Sequence, residues 1–439
     1  MKNCCLLIHV LVVLFSIYGN SQQLGRRSSW EAKLQGPNGA HPGATLLEIN
    51  KNSPLDKAGF KSGDIILEVN GIVLENDEKW SEVSYGLRAN TPTRIKAIRN
   101  YQYLEKIVTF NPVPKEEHQG LDTYYEEITS TYGITQRIII TKPRKEGKQP
   151  AIILIGGLSC SSIETYPGRS GNWVQTITDL VEKSGMVVMR IEKPGVGDSE
   201  GDCGQSDFLT DLAGYNAAIT YFKNKPYVDT SKIVVYGSSM GSALAPYLAN
   251  EHNLGGVISD GTFYKTWFEH MLEIERRILH FKGHSESEIA KLMNNYYFPL
   301  YYGMLIKNQT YAEVIDEYKA LAKYNYHSPE HMYGRPVSYY QQLQNFDLAG
   351  AWEKIKVPVR ILRGSNDWIM SEFDNKMIVE VLARNGHTDF LLHEYPGLDH
   401  WNTIHESAKN SYDGKPGVWD PGTIDLIIGW ARKMVGLQP

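Results

Sequence analysis

The sequence has no excess of positive charge, only one long apolar run, few cysteines and no repeat, and each shortage removes a class of protein. Lysine and arginine total 45 against 50 aspartates and glutamates, a formal net charge of −5. Phosphate binding needs a basic surface, so a general nucleic-acid binder is excluded. A mean hydropathy of −0.35 and the lack of a second apolar run exclude a polytopic membrane protein. No cluster of His, Asp or Cys stands at ligand spacing, so neither a metal nor any other cofactor is implied. What remains is an ordinary globular composition, 42% hydrophobic over 439 residues, enough for a sizeable core in two or three domains at ~150 residues each.

The single apolar run lies at the start. Lys2, then Leu6 to Ile17, then Gly19-Asn20-Ser21 follow the order of a secretory signal, expected to be cut near Ser21, so residues 1–21 are assigned to it. The run is shorter than the ~20 residues of a spanning helix, so no stable membrane span is expected after cleavage. The mature chain is expected in a periplasm or outside the cell. Cys4 and Cys5 precede the run and leave with it. Cys160 and Cys203 remain, a pair that an oxidising compartment allows to join.

Two folded units are expected beyond the signal. In the first, residues 24–112, Leu46 to Ile49 and Ile65 to Val69 read as strands, with Asn70-Gly71 as a tight turn. Trp80 to Leu87 fits an amphipathic helix. Arg94 to Ile98 and Glu105 to Phe110 alternate like an edge hairpin. Ser53-Pro54, Ala58-Gly59, Gly63-Asp64 and Val69-Asn70-Gly71 resemble the PDZ family, closest to the modules of bacterial exported proteases. The resemblance implies a small α+β domain that takes an extended peptide ligand by strand addition. It puts the carboxylate-holding loop near Leu24 to Trp30, where LGRRSSW departs from the family's glycine-rich apolar form. Peptide capture and docking on the neighbouring unit both stay open. Residues 113–120, proline-bearing and charged, read as a linker.

The second unit, 121–439, alternates short apolar runs with helical spacings, which predicts a mostly parallel sheet covered on both faces. The runs are Ile138 to Thr141, Ala151 to Ile155, Gly185 to Ile191, Lys232 to Tyr236, Leu254 to Ser259, Val359 to Leu362 and Phe390 to Tyr395. The fourth leads directly into Gly237-Ser238-Ser239-Met240-Gly241. A serine on such a tight strand-to-helix turn is presented at the top of the sheet, and side chains two residues away on either side would collide. A serine hydroxyl needs a base. His400, in the loop Pro396-Gly397-Leu398-Asp399-His400, is the natural candidate. His387, His393 and His405 have weaker contexts. Asp367 stands at a strand end where an orienting acid belongs, with Asp399 and Asp374 as alternates. Pro246 is expected to kink the helix after the serine.

The chain order Ser239, Asp367, His400 is that of the α/β-hydrolase superfamily, which the sequence resembles from about Tyr124 to Leu437. The resemblance implies an oxyanion hole from the backbone amides of Met240 and of Leu158, in the loop Gly156-Gly157-Leu158-Ser159-Cys160. The loop Glu192 to Gly201 is similar to one found beside the site in this superfamily. A phosphate-binding reading of its glycines lacks the Gly-Lys-Ser/Thr that would support it. In the resembled fold the loops carrying Cys160 and Cys203 leave from the same end of neighbouring strands, which implies a disulfide. An aromatic insertion, about 261–350, reads as a helical cap, with helices at Thr266 to His280, Ser287 to Asn295 and Tyr311 to Tyr324. Trp267, Phe268, Tyr296, Tyr297, Tyr301 and Tyr302 form either the cap's own core or a pocket wall.

These features together predict an exported serine hydrolase that cleaves a carboxylic ester or amide through an acyl-enzyme. An exopeptidase on the same residues, or a non-catalytic peptide-binding protein, are the alternatives. A small ester or a peptide is the expected substrate.

Overall fold

The computed structural model describes residues 24–37, 42–324 and 331–438; the expected signal segment lies outside them. In the first unit the described strands are β1 (Ala32–Gln35), β2 (Ala44–Ile49), β3 (Ile65–Val69), β4 (Ile72–Val73), β5 (Pro92–Arg99) and β6 (Gln102–Thr109), with helices α1 (Pro54–Lys57) and α2 (Asp77–Gly86). The sheet order is β1-β2-β3-β5-β6, with β4 paired to β3. Asn70 and Gly71 join β3 to β4 with φ of 49° and 91°, the left-handed pair that a two-residue hairpin requires. Leu46, Leu55, Phe60, Ile66, Val83, Ile95 and Phe110 fill its core. Helix α2 begins before the expected Trp80 because Asn76 caps it, accepting from the Lys79 amide at 2.9 Å.

The second unit adds β7 (Leu121–Thr129), β8 (Thr135–Pro143), β9 (Gln149–Ile155), β10 (Val187–Ile191), β11 (Val228–Ser238), β12 (Gly256–Asp260), β13 (His331–Met332), β14 (Arg335–Pro336), β15 (Val359–Gly364) and β16 (Phe390–Tyr395). Eight of these, among the described residues, form one sheet in the order β7-β8-β10-β9-β11-β12-β15-β16. Pairing is parallel from β10 through β16 and antiparallel at the β7, β8 edge. Successive side chains of a strand face opposite ways, and the two cores divide accordingly. Ile153, Ile155, Val187, Met189 and Val235 pack toward α4 (Phe208–Lys223) and α5 (Met240–His252). Ile152, Leu154, Val188, Val234 and Ile258 pack toward α3 (Asn172–Lys183) and the last helix, Gly422–Met434.

Three expectations gain detail. Pro246 sits inside α5, which runs on unbroken from Met240 to His252. Proline cannot bond the carbonyl four residues back, and that carbonyl, of Ser242, accepts from Ser259 Oγ at 2.9 Å instead. Within the linker, 113–120, Val113, Glu116 and His118 are buried, and Glu116 is paired with Arg190. In the cap, α6 (Trp267–Phe281) is close to its expected span, but the Tyr311 to Tyr324 stretch is helical only over Tyr311–Glu317 and continues as a tighter turn, Lys319–Tyr324. Tyr297 and Tyr301 are buried within the cap, and Tyr296 stacks on Tyr324 at 3.9 Å. Most of the cap aromatics therefore form its own core; of the six named, Trp267 alone reaches the cavity described below.

Candidate active site

Strand β11 delivers Ser239 with φ 55° and ψ −122°, a conformation L-residues avoid unless the surroundings enforce it. Enforcement comes from close packing. A Cβ on Gly237 would lie 2.2 Å from the Gly241 carbonyl oxygen, and one on Gly241 would lie 2.2 Å from that of Ile155. The Ser239 amide donates to the Asp260 carbonyl at 2.8 Å, which ties the turn to the end of β12.

His400 is set by the loop after β16. Its Nε2 lies 2.9 Å from Ser239 Oγ, and its Nδ1 lies 2.8 Å from Asp367 Oδ2. The other Asp367 oxygen accepts the amides of Ile369 and Met370 at 2.9 and 2.8 Å. Burial raises a carboxylate's pKa, but His400 and these donors outweigh it and hold Asp367 below its ordinary value. Burial likewise works against a charged His400, yet the charge and hydrogen bond of Asp367, with Asp260 and Asp399 behind, raise it above 6.5. The alternate acids have other neighbours. Asp399 accepts the Trp401 and Thr403 amides and Ser411 Oγ and lies 3.2 Å from His405, so both residues shape the loop. Asp374 is 3.7 Å from Lys265 and is pushed up to about 7 by burial. His387 Nε2 is 2.8 Å from the Val357 carbonyl, and His393 lies within β16.

The loop after β9 passes close beside the serine: a Cβ on Gly157 would meet Ser239 Cβ at 3.1 Å. Its three successive carbonyls, of Gly157, Leu158 and Ser159, all accept from buried cations. Lys193 Nζ donates to Gly157 O, and to Ser159 O at 2.7 Å. Arg335 of β14 donates from Nε to Leu158 O at 3.3 Å and from Nη1 to Cys203 O at 2.5 Å, and is paired with Asp211. Cys160 and Cys203 are joined, with Cα atoms 5.9 Å apart. The sequence reading placed Leu158 and Met240 at an oxyanion hole; both line one cavity with Ser239 and His400.

That cavity is about 700 Å³. Its walls include Trp173, Trp267, Trp368, Trp401, Tyr333 and Tyr412, with Ile163, Ile274, Ile278 and Ile369. Among the described residues its lining contains two lysines, Lys193 and Lys282, and no aspartate or glutamate. Lys193 is brought down to about 7 by burial and by the neighbouring Arg335. His270 is buried to 1% exposure, stacks on Phe263 at 4.7 Å and is lowered to about 3 by burial. Asp260 is raised to about 6, again by burial.

Several of these residues escaped the sequence reading. Lys193 had one signal, its position just beyond the end of a buried strand, in a loop that was read as merely structural. Arg335 and the tryptophans Trp173, Trp368 and Trp401 had none, because their roles depend on segments remote in the chain.

A nucleophile elbow on a mostly parallel, doubly covered sheet, with a histidine and a carboxylate brought to it from later strand ends, defines a serine hydrolase of the α/β-hydrolase superfamily. Residues 168–407 match the family described as serine aminopeptidase, S33. That is over half of the chain, and the chain belongs to this family. Residues 27–108 match the PDZ domain. Esterase EstD of Thermotoga maritima is 20% identical over 313 residues, 71% of this chain and 68% of that one. A probable periplasmic serine endoprotease, DegP-like, of Chlamydia pneumoniae is 31% identical over 75 residues, 17% of this chain and 15% of that one. Among solved structures, acetyl xylan esterase 1 from Thermoanaerobacterium has 17% identity and a TM-score of 0.44, over 73% of this chain and 86% of that one.

Proposed function

We propose that this chain hydrolyses carboxylic esters through an acyl-enzyme on Ser239. His400 takes the serine proton and passes it to the leaving alcohol; Asp367 orients His400 and stabilises its charged form. The Leu158 and Met240 amides hold the oxyanion, aided by the N-terminus of α5. Water then releases the acid by the same steps in reverse. The observation that carries this reading is the continuous path from Asp367 to His400 to Ser239 Oγ, at 2.8 and 2.9 Å, opening on an apolar cavity.

The cavity also separates the ester reading from the exopeptidase one. An aminopeptidase has to seat its substrate's free ammonium within a few ångströms of the nucleophile. In a water-poor pocket that charge needs a carboxylate partner. The described lining offers none. A neutral or anionic ester with an aromatic or extended apolar part fits the walls. We also assign export, supported by the leader pattern of residues 1–21 and by the Cys160–Cys203 disulfide.

The test compares p-nitrophenyl acetate, butyrate and benzoate with aminoacyl p-nitroanilides, and maps fluorophosphonate labelling by mass spectrometry. Ester turnover with labelling at Ser239, both abolished in Ser239→Ala, is expected. A higher kcat/KM on the anilides, or labelling elsewhere, overturns the proposal.

A further inference from the structure

The segment before β1, Leu24 to Trp30, is where the PDZ resemblance places the cradle for a peptide's terminal carboxylate. Three successive backbone donors in it, those of Arg27, Ser28 and Ser29, are already engaged. Arg27 N donates to Asp198 Oδ1 at 2.9 Å, Ser28 N to Leu87 O at 3.0 Å and Ser29 N to Asn111 O at 2.8 Å. The side chains converge on the same place. Arg26 Nη1 donates to Asp198 Oδ2 at 2.9 Å and Arg26 Nη2 to Glu164 Oε1; Arg27 Nη2 donates to Glu164 Oε2 at 3.0 Å. The Glu164 and Asp198 side chains are 1% and 0% exposed. Tyr125 also donates to Glu164, and Arg137 to Asp198.

Both carboxylates belong to the hydrolase unit, on the two loops that build the site. Glu164 follows Leu158, Ser161 and Ile163, which line the cavity, and Asp198 follows Lys193, which does so too. A buried carboxylate cannot stay ionised without its partners. Two arginines of the first unit therefore hold the active-site loop of the second at a point six residues beyond Leu158.

We infer that Arg26 and Arg27 are positioning residues for this active site: the hydrolase's own Asp198 and Glu164 occupy the place a peptide end would take, and the PDZ-like unit acts as a fixed buttress of the catalytic loop. This rests on the catalytic reading given under Proposed function. A peptide bearing a free carboxylate would have to displace both side chains to enter.

The experiment uses the full mature chain as wild type, as Arg26→Gln with Arg27→Gln, and as Arg27→Lys, which keeps the charge and loses the planar guanidinium that reaches Glu164 through Nη2. Three quantities are read: kcat and KM on p-nitrophenyl acetate per fluorophosphonate-titrated site, the rate of that labelling, and Tm. An oxyanion donor displaced by about 1 Å costs up to ~100-fold. The double variant is therefore expected to lose roughly tenfold or more in kcat and in labelling rate, with KM changed less than about threefold. A purely structural tie would lower Tm and leave both rates per site at the wild-type value, which overturns the inference. Should the double variant not fold, Arg27→Lys decides by the same rates, expected to fall several-fold. If the wild type turns over no ester, the catalytic reading fails separately, and the ratio of labelling rates still tests the tie.

Discussion

A Lys193→Met substitution keeps the length of the side chain and removes its ammonium, and its effects on stability and on rate are expected to part company. In the wild type the ammonium is buried and held down to about 7 from 10.5 by burial and Arg335. A lysine lowered in this way costs the folded state in full below pH about 7, and the cost fades as pH rises toward 10.5. Burying an ammonium costs on the order of several kcal/mol. Against it stand the bonds to Gly157 O and Ser159 O, charge-assisted and worth about 1.5–3 kcal/mol each. The two contributions nearly cancel, so the variant's Tm near pH 7 is expected within a few degrees of wild type. Catalysis has no such compensation. With two of its three carbonyls released, the loop is free to rotate and the Leu158 amide, proposed above as an oxyanion donor, loses its fixed direction. Loss of one such donor costs ~10²–10³-fold in kcat, and Arg335, still on Leu158 O, limits the expected loss to about 10–100-fold. The assay is kcat on p-nitrophenyl acetate per titrated site, beside a thermal melt. A kcat within threefold of wild type, or a kcat that falls only as far as the folded fraction falls, would refute the reasoning.

Other outcomes follow from the same contacts. Because Asp367, Asp260 and Asp399 raise His400 and the base works neutral, kcat/KM is expected to fall as pH drops through a value above 6.5; an acid limb at or below 6.5 counts against this. Asp367→Asn removes the strongest of those charges and is expected to cost ~10³–10⁴-fold in kcat, read with Tm as the folding control. The Cys160–Cys203 link spans 43 residues, and its removal is expected to destabilise by about 4 kcal/mol on chain-entropy grounds; alkylation of native protein before reduction should find no free thiol at either position. Glu116 is lowered to about 2 from 4.5: burial raises it, but the charge and hydrogen bonds of Arg190, with Thr165, prevail. A lowered acid stabilises above its unfolded pKa and loses that contribution as pH falls from about 4.5 to about 2, here about 3 kcal/mol. Denaturant titrations of wild type and Glu116→Gln at pH 7 and pH 3 check it, the variant being expected to show the smaller pH dependence.

How far the site could be read from residues alone varies with the range of the interaction. Ser239 carried a local signature, since Gly237 lets the backbone of Gly241 come close and Gly241 lets that of Ile155 and Gly156 do so. His400 and Asp367 were marked by position, each just beyond a short apolar run that forms a buried strand. The choice of Asp367 over Asp399 rested on strand-end position, and the structure adds the partners: Asp399 is consumed by its own loop. For the cap aromatics the residues offered two readings, and only packing separates Trp267, at the cavity, from Tyr297 and Tyr301, within the cap.

The sequence by itself determined the elements and the order of their ends. Continuous apolar runs specify strands buried on both faces, Asn70-Gly71 specifies a turn, and the Gly-x-Ser-x-Gly spacing specifies an elbow, because each is a constraint among neighbours in the chain. The tertiary structure alone decided what those ends face. Arg335 reaches Leu158 from 177 residues away, Arg26 reaches Glu164 from 138, and the cavity gathers its four tryptophans from four segments and, among the described residues, leaves carboxylates out. A charge pair or a pocket wall across such distances imposes no periodicity on the chain, since its energy comes from burial and geometry that exist only once the two loops have been folded onto each other.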